Sequence, residues 1–94
     1  MNTTDDRYAN LQDKAEHVKA VKRAHENELL SKANVIGVGI GFRQIAGTVT
    51  SDLAIVVMVS SKLPPAQLSE DDLIPAWIDG VPIDVQEVGE ITAY

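Results

Sequence analysis

The stretch Asn34–Phe42, NVIGVGIGF, decides how this chain is built. Its glycines, Gly37, Gly39 and Gly41, occupy every second position and alternate with apolar residues. A period of two is the pattern of a β-strand, because side chains of a strand point alternately to opposite faces. The sequence therefore predicts a strand with one almost bare face. The side chains expected on its other face are those of Ile36, Val38, Ile40 and Phe42.

The glycines themselves have two explanations. A phosphate-binding loop needs glycines in a turn that leads into a helix, but the following residues, FRQIAGTVT, have no helical pattern. Glycine weakens a strand, so three of them indicate close approach of another backbone. The N-terminal helix is the first candidate for that backbone and a second chain is the other. On this view Gly39→Val is expected to misfold or to lose assembly.

Residues 1–33 are expected to form a long amphipathic helix. Residues 4–31 contain neither glycine nor proline and are rich in strong helix formers. Apolar residues recur there at spacings of three and four, which predicts one buried stripe. This stripe consists of Tyr8, Leu11, Ala15, Val18, Val21 and Leu29. The stripe packs on a sheet or pairs with another helix, so Tyr8, Leu11 and Val18 are candidate interaction residues.

Residues 34–94 are expected to form a β unit, with strands near 34–43, 52–60, 75–78 and 81–88. The run DLAIVVMVS is apolar on both faces, as in a central strand. Gly47 and the pair Asp79-Gly80 mark hairpin turns. Pro82 places the last strand at a sheet edge. The fold class is therefore α+β, a single domain over residues 1–94, with a long N-terminal helix packed on a small, mainly antiparallel sheet.

Composition limits the function. The chain has 94 residues, no cysteine and a net charge of −6, and aromatic residues are only 4%. Residues 35–94 carry eight acidic and two basic residues, which disfavours nucleic-acid binding. The small basic patch of Lys19, Lys22 and Arg23 is expected to be a solvated helix face. No apolar run is long enough to span a membrane and no signal peptide is present, so we expect a cytoplasmic protein.

Residues with catalytic or metal-binding chemistry are few. Asp13 and His17 share a helix face, as metal ligands can, but solvated side chains are the simpler interpretation. Ser69 and the acidic cluster of Glu70, Asp71 and Asp72 fit a capped turn better than a calcium loop. No serine lies in a nucleophile motif. We therefore expect no catalytic, cofactor or metal residue.

Trp77 is the only tryptophan. We expect it to pack over the final hairpin. A role as an interaction hot spot is the alternative, because buried aromatic residues often dominate binding energies.

Three runs together resemble a known family. They are KANVIGVGIGF, LAIVVMVSSKLPP and IPAWIDGVPIDVQEVGEI, which cover about residues 32–91. They resemble the leader region of bacterial chymotrypsin-like serine peptidases, a group similar to the plant NAL1-type proteins. The resemblance implies a helix and small β unit that precede a peptidase domain. No catalytic motif of that domain is present, so the resemblance assigns no catalytic residue.

Three functions follow as hypotheses. The first is a non-enzymatic interaction or self-assembly module that forms homo-oligomers or docks on a larger protein, since a core this poor in aromatics gains from a partner. The second is a peptidase leader that acts in trans as a folding aid or inhibitor. The third is a weak metal-binding protein or an enzyme that uses the helix histidines.

Overall fold

One helix and four strands make up the fold. A computed structural model describes residues 6–89 of the chain, with side chains from Leu11 onward. Two short 3-10 turns, Pro65–Gln67 and Glu70–Asp72, connect the second and third strands. The elements are α1 (Asp6–Leu30), β1 (Val35–Ile45), β2 (Thr48–Val59), β3 (Trp77–Ile78) and β4 (Val81–Glu87). The predicted α+β class is confirmed, and the predicted role of the Tyr8 side chain lies outside the described part.

The sheet has the strand order β1-β2-β4-β3. β1 pairs with β2 and β3 pairs with β4, in both cases antiparallel. The two hairpins are joined by a parallel pairing of β2 with β4, in which Ile55 lies beside Ile83 and Val57 beside Val85. The sheet is thus mainly antiparallel, as predicted, but its central pairing is parallel.

The core lies between α1 and one face of β2. Ile55 and Val57 are completely buried, and Leu29 of the helix is 1% exposed. Val18 and Val21 of α1 join the same cluster. Burial of apolar surface contributes about 25 cal/mol per Å², so this cluster supplies the main stabilisation of the fold. The prediction that β2 is a central strand is confirmed.

Between the end of α1 at Leu30 and the start of β1 at Val35, the chain turns without a glycine. Asn34 has a φ of 68°, in the left-handed region that asparagine tolerates better than most residues. The Ser31 hydroxyl donates to the Glu28 carbonyl at 2.6 Å, which satisfies one carbonyl of the last turn. The Asn34 carbonyl accepts from the Ser60 N–H at 2.9 Å. The chain therefore leaves the helix and enters β1 beside the end of β2.

Both hairpins turn on a pair of residues with positive φ. Ala46 and Gly47 have φ values of 51° and 80°, and Asp79 and Gly80 have 49° and 80°. This is the pattern of a type I′ turn, which matches the right-handed twist of the strands it joins. Both turns lie where the sequence predicts them.

The turn before β3 is fastened to the end of α1 by Asp72. Its carboxylate accepts from the Ser69 hydroxyl at 2.7 Å and from the Ala33 N–H at 2.9 Å. These two hydrogen bonds, the one from Ser69 first, hold the pKa of Asp72 below its ordinary value. The predicted turn is present, but the Ser69 hydroxyl bonds a side chain and caps no backbone N–H.

Leu29→Ala should destabilise the protein by about 2–5 kcal/mol, because it removes a buried side chain and leaves a cavity. Leu30→Ala is the matched control, since Leu30 is 42% exposed and a surface change costs within about 0.5 kcal/mol. Urea unfolding followed by circular dichroism measures both. Equal losses for the two leucines would contradict the placement of α1.

Asp72→Ala should lower the free energy of unfolding at about pH 7, where the ionised carboxylate holds both hydrogen bonds. Because the pKa of Asp72 is lowered in the folded state, its contribution is lost as the pH falls through that lowered value. The difference between variant and wild type should therefore narrow in acid. Asp71→Ala is the control, since Asp71 contributes its backbone carbonyl, which accepts from Lys32 Nζ at 2.6 Å. A difference that stays constant with pH would contradict this role.

Candidate interaction site

β1 forms an open edge of the sheet. Within residues 6–89 no strand lies beyond it, so alternate N–H and C=O groups of Val35–Ile45 face outward. Proteins usually protect such an edge with lysine, proline, inward-pointing charge, a β-bulge or a covering segment. β1 contains no proline, lysine or acidic residue, and Arg43 near its end is its single charge. Its register with β2 is irregular just before Gly37 and just after Phe42, so Gly37–Phe42 is the regular part that is available to pair with an added strand.

The opposite edge differs from β1. β3 covers only the start of β4, where Trp77 pairs with Pro82 and Ile78 with Val81. The remainder of β4 carries two acidic residues, whereas β1 carries none. They are Asp84, whose carboxylate accepts from the Gln44 N–H, and Glu87, whose carboxylate accepts from the Lys62 N–H.

The two faces of β1 are fixed by its pairing with β2. Residues directly opposite one another in antiparallel strands point to the same face. Val38 and Ile40 lie opposite Val57 and Ile55, which are in the core beneath α1. The glycines lie opposite Met58, Val56 and Ala54, on the other face. The expectation that α1 approaches the glycines is therefore wrong, because α1 covers the face that carries the larger apolar side chains.

Side chains of β2 occupy part of the space that the glycines leave. A Cβ added at Gly37 would lie 2.8 Å from Met58 Cε, and one at Gly41 would lie 3.2 Å from Val56 Cγ2. At Gly39, of the described residues beyond its chain neighbours, only Met58 has a heavy atom within 4 Å of such a Cβ, namely Cε at 4.0 Å. The nearest described atoms at all three glycines thus belong to side chains of β2 and not to the helix. The expectation of contact with a second chain stays a prediction.

A β-bulge at the start of β1 changes the expected side-chain alternation. Val35 lies opposite Val59 and Gly37 opposite Met58, so Ile36 is the extra residue between them. Val35 therefore packs against the core in place of Ile36, which is 47% exposed. Beyond the bulge the expected alternation of Val38, Ile40 and Phe42 with the glycines is present.

The end of the first hairpin reaches back across the glycine face. The Gln44 N–H donates to Asp84 Oδ2 at 2.9 Å, although β2 separates their strands. The Arg43 guanidinium lies 5.3 Å from the centre of the Trp77 ring, within the range of a cation–π interaction. Trp77 is 54% exposed. It belongs to the final hairpin and has Arg43 beside its ring, but more than half of its surface is exposed, so it does not pack over that hairpin as expected.

A basic groove borders β1 on the helix side. It has a volume of about 270 Å³, and Ile40 contributes its sheet side. Ile40 is 39% exposed and Phe42, two residues further along the same face, is 47% exposed. The helix residues that line the groove are Lys19, Lys22, Arg23 and Glu26. These cations were expected to lie on a solvated helix face, and only the placement of α1 over the sheet brings them to the β1 edge.

The histidines fasten the last turn to α1. His17 Nε2 donates to the Asp79 carbonyl at 2.8 Å, and His25 Nε2 lies 3.4 Å from Asp79 Oδ2. His25 Nδ1 lies 3.5 Å from Glu28 Oε2. Among the described residues no group of three or more His, Cys, Asp or Glu side chains could hold a metal ion. The pair of Asp13 and His17 thus gains no third ligand in this part of the chain.

The candidate interaction residues of α1 take different positions. Val18 is 4% exposed and belongs to the core. Leu11 is 45% exposed, so its predicted role in an interaction stays a prediction. Within residues 6–89 no helix is both long and apolar enough to cross a membrane.

Gly39→Val should leave the fold intact and change the free energy of unfolding by less than about 1 kcal/mol. The added side chain has room, and valine favours a strand. This replaces the expectation of misfolding, which assumed that another backbone lies against Gly39. Gly80→Val is the contrast, since a φ of 80° costs a non-glycine residue about 1–2 kcal/mol. Urea unfolding distinguishes them, and an unfolded Gly39→Val protein would contradict the open space.

Comparison with known proteins identifies the family. No curated protein matches the chain. The family described as NARROW LEAF 1 N-terminal domain matches residues 18–88. The matched region begins at the first buried valine of α1 and ends just after β4, so it contains the helix–sheet core and the open edge. The chain therefore belongs to the NARROW LEAF 1 N-terminal domain family.

Proposed function

We propose that this protein is a non-enzymatic interaction module that binds by adding a strand of another chain to β1. The observation that carries the proposal is the open edge of β1, which keeps a regular register from Gly37 to Phe42 and is bordered by exposed apolar side chains. Main-chain hydrogen bonds supply the affinity in this mode of binding, and side chains on alternate faces supply the specificity.

The polar residues of the structure support a binding role over a catalytic one. Asp72 accepts two hydrogen bonds that connect the turn to α1, and His17 donates to the Asp79 carbonyl. Each of these groups has a defined part in holding one element against another. The hypothesis of a metal protein or enzyme that uses Asp13 and His17 receives no comparable support.

The added strand has two possible sources. One is a second copy of the chain, which would give a homo-oligomer. The other is a larger protein, and the family description supports it, since an N-terminal domain by definition precedes further sequence in the protein that contains it. A leader that assists or inhibits a peptidase in trans is one form of the second source. A cytoplasmic location belongs to the same proposal.

Replacing Ile36 and Ile40 together with lysine should abolish pairing through β1, because charge on an edge strand opposes addition of a neighbour. At about 1 M NaCl, where the Debye length is about 3 Å, repulsion between copies that each carry −6 is screened. The wild-type mass measured by light scattering should then rise with protein concentration. The mass of the lysine variant should stay that of one chain.

Val49→Lys with Leu73→Lys is the matched control. Both side chains are exposed, at 61% and 38%, and neither belongs to β1. The control should associate as the wild type does. A wild type that stays monomeric throughout would exclude a second copy as the source of the added strand, and a control that loses association equally would count against β1 as the binding edge.

A further inference from the structure

Two sides of α1 differ chemically, and each faces a different edge of the sheet. His17 and His25 contact the Asp79 turn, which lies at the β3–β4 edge. Lys19 and Arg23 line the groove with Ile40 at the β1 edge. Residues advance around a helix by about 100° each, so His17 and Lys19 lie on opposite sides of the buried Val18. The side of α1 that carries Lys19 and Arg23 therefore faces the open edge of β1.

We infer that the strand added to β1 is an extended acidic segment, with carboxylates on alternate residues facing the basic groove. This inference rests on the proposed function and names the chemistry of its partner. Complementary charge across an interface selects partners and raises the association rate. β1 supplies the backbone pairing and the helix supplies the preference for negative charge.

The cations of the groove differ in how fully they are already paired. Lys22 Nζ lies 2.8 Å from Glu26 Oε1, and Lys19 Nζ lies 4.0 Å from Glu16 Oε1 on a largely exposed surface. Among the described residues no acidic side chain forms an ion pair with Arg23. Arg23 and Lys19 are thus the groove cations with capacity for a new carboxylate. Arginine can hold such a carboxylate with two parallel hydrogen bonds.

The two faces beside β1 set the side-chain pattern of the added strand. On the helix side, its side chains would lie next to Ile40 and the basic groove. On the other side, they would lie next to glycines, and Gly39 has open space above it. Side chains of a strand alternate between faces. A segment in which apolar residues alternate with Glu or Asp therefore matches both faces at once.

A second copy of the chain fits this edge less well. Two identical strands that pair antiparallel are related by a two-fold axis, which places the same patch of each copy at the same interface. Both helices would then lie on one face, with the Lys19–Arg23 side of each directed at the other. Like charges in that arrangement repel, whereas an acidic segment neutralises them.

The test uses two synthetic peptides as long as β1, with blocked ends. In one, valine alternates with glutamate; in the other, valine alternates with lysine. At about 0.15 M NaCl, where a Debye length of about 8 Å screens the distant acidic residues of the chain, the glutamate peptide should bind the full chain about tenfold more tightly than the lysine peptide, as a few exposed ion pairs imply. Isothermal titration should also show the affinity of the glutamate peptide falling as NaCl increases, because these pairs are screened.

Charge reversal tests the groove itself. Arg23→Glu should weaken binding of the glutamate peptide, and Lys19→Glu with Arg23→Glu should reverse the preference toward the lysine peptide. Lys14→Glu is the matched control, because Lys14 is an exposed cation of the same helix that does not line the groove. Circular dichroism confirms that each variant is folded. A Lys14→Glu effect equal to that of Arg23→Glu would overturn the assignment.

Two methylated peptides separate this inference from the proposed function. Both have the glutamate sequence, but one carries N-methyl groups on its valines and the other on its glutamates, so each is unable to donate along one edge of its backbone. The peptide whose methylated edge faces β1 should not bind, and the other should keep binding through its free edge. Equal binding of the unmethylated glutamate and lysine peptides, with loss on methylation of one edge, would keep β1 as the binding edge and overturn the acidic preference. Binding that survives in both methylated peptides would overturn strand addition. Failure of the glutamate peptide to bind would overturn the inference, while self-association that is lost when Ile36 and Ile40 are replaced with lysine would still support β1 as the binding edge.

Discussion

The contact between the apolar stripe of α1 and the centre of β2 determines the rest of the structure. Ile55 and Val57 are completely buried in one cluster with Val18, Val21 and Leu29 of the helix. A helix can cover one face of a small sheet but cannot close its edges. Once α1 takes this face, the protein must protect each edge by local sequence or leave it open for a partner.

The glycines of β1 have a different role from the predicted contact with the helix. They lie on the face away from α1, where Met58 and Val56 lean toward them from β2. With little side-chain volume on that face, the end of the hairpin can approach β4, as the bond from Gln44 to Asp84 shows. The glycines thus allow the end of the first hairpin to lie close over the sheet. They also leave space on their face of β1 that side chains of an added strand could occupy.

The sequence predicts those features that depend on local chemistry. The Asp79-Gly80 pair defines its own turn, the apolar run of β2 requires burial on both faces, and the glycine-free stretch before Ser31 forms α1. Features that depend on distant contacts were not predictable. The parallel pairing of β2 with β4 follows from a crossover through residues 60–76, and no residue type marks a parallel partner. The bulge at Ile36 likewise arises from the register with β2, not from a breaker residue.

The basic groove illustrates the same limit at the candidate site. Lys19, Lys22 and Arg23 are visible in the sequence, but their nearness to β1 depends on which way the helix is rotated over the sheet. That rotation is set by Val18, Val21 and Leu29 together with the two histidine contacts to Asp79. The sequence pattern shows how wide the apolar stripe of α1 is. It does not show which strand lies beneath each side of that stripe.

The asymmetry between the two edges also constrains what strand addition can build. A sheet with two open edges can add copies without limit, because each addition leaves a new open edge. Here β3 covers the start of β4 and the rest of β4 carries Asp84 and Glu87, whereas β1 carries no acidic residue and has no strand beyond it within residues 6–89. Under the proposed function the partner strand therefore adds at β1. The outer edge of that added strand, rather than the β4 edge, then decides whether the assembly stops or continues.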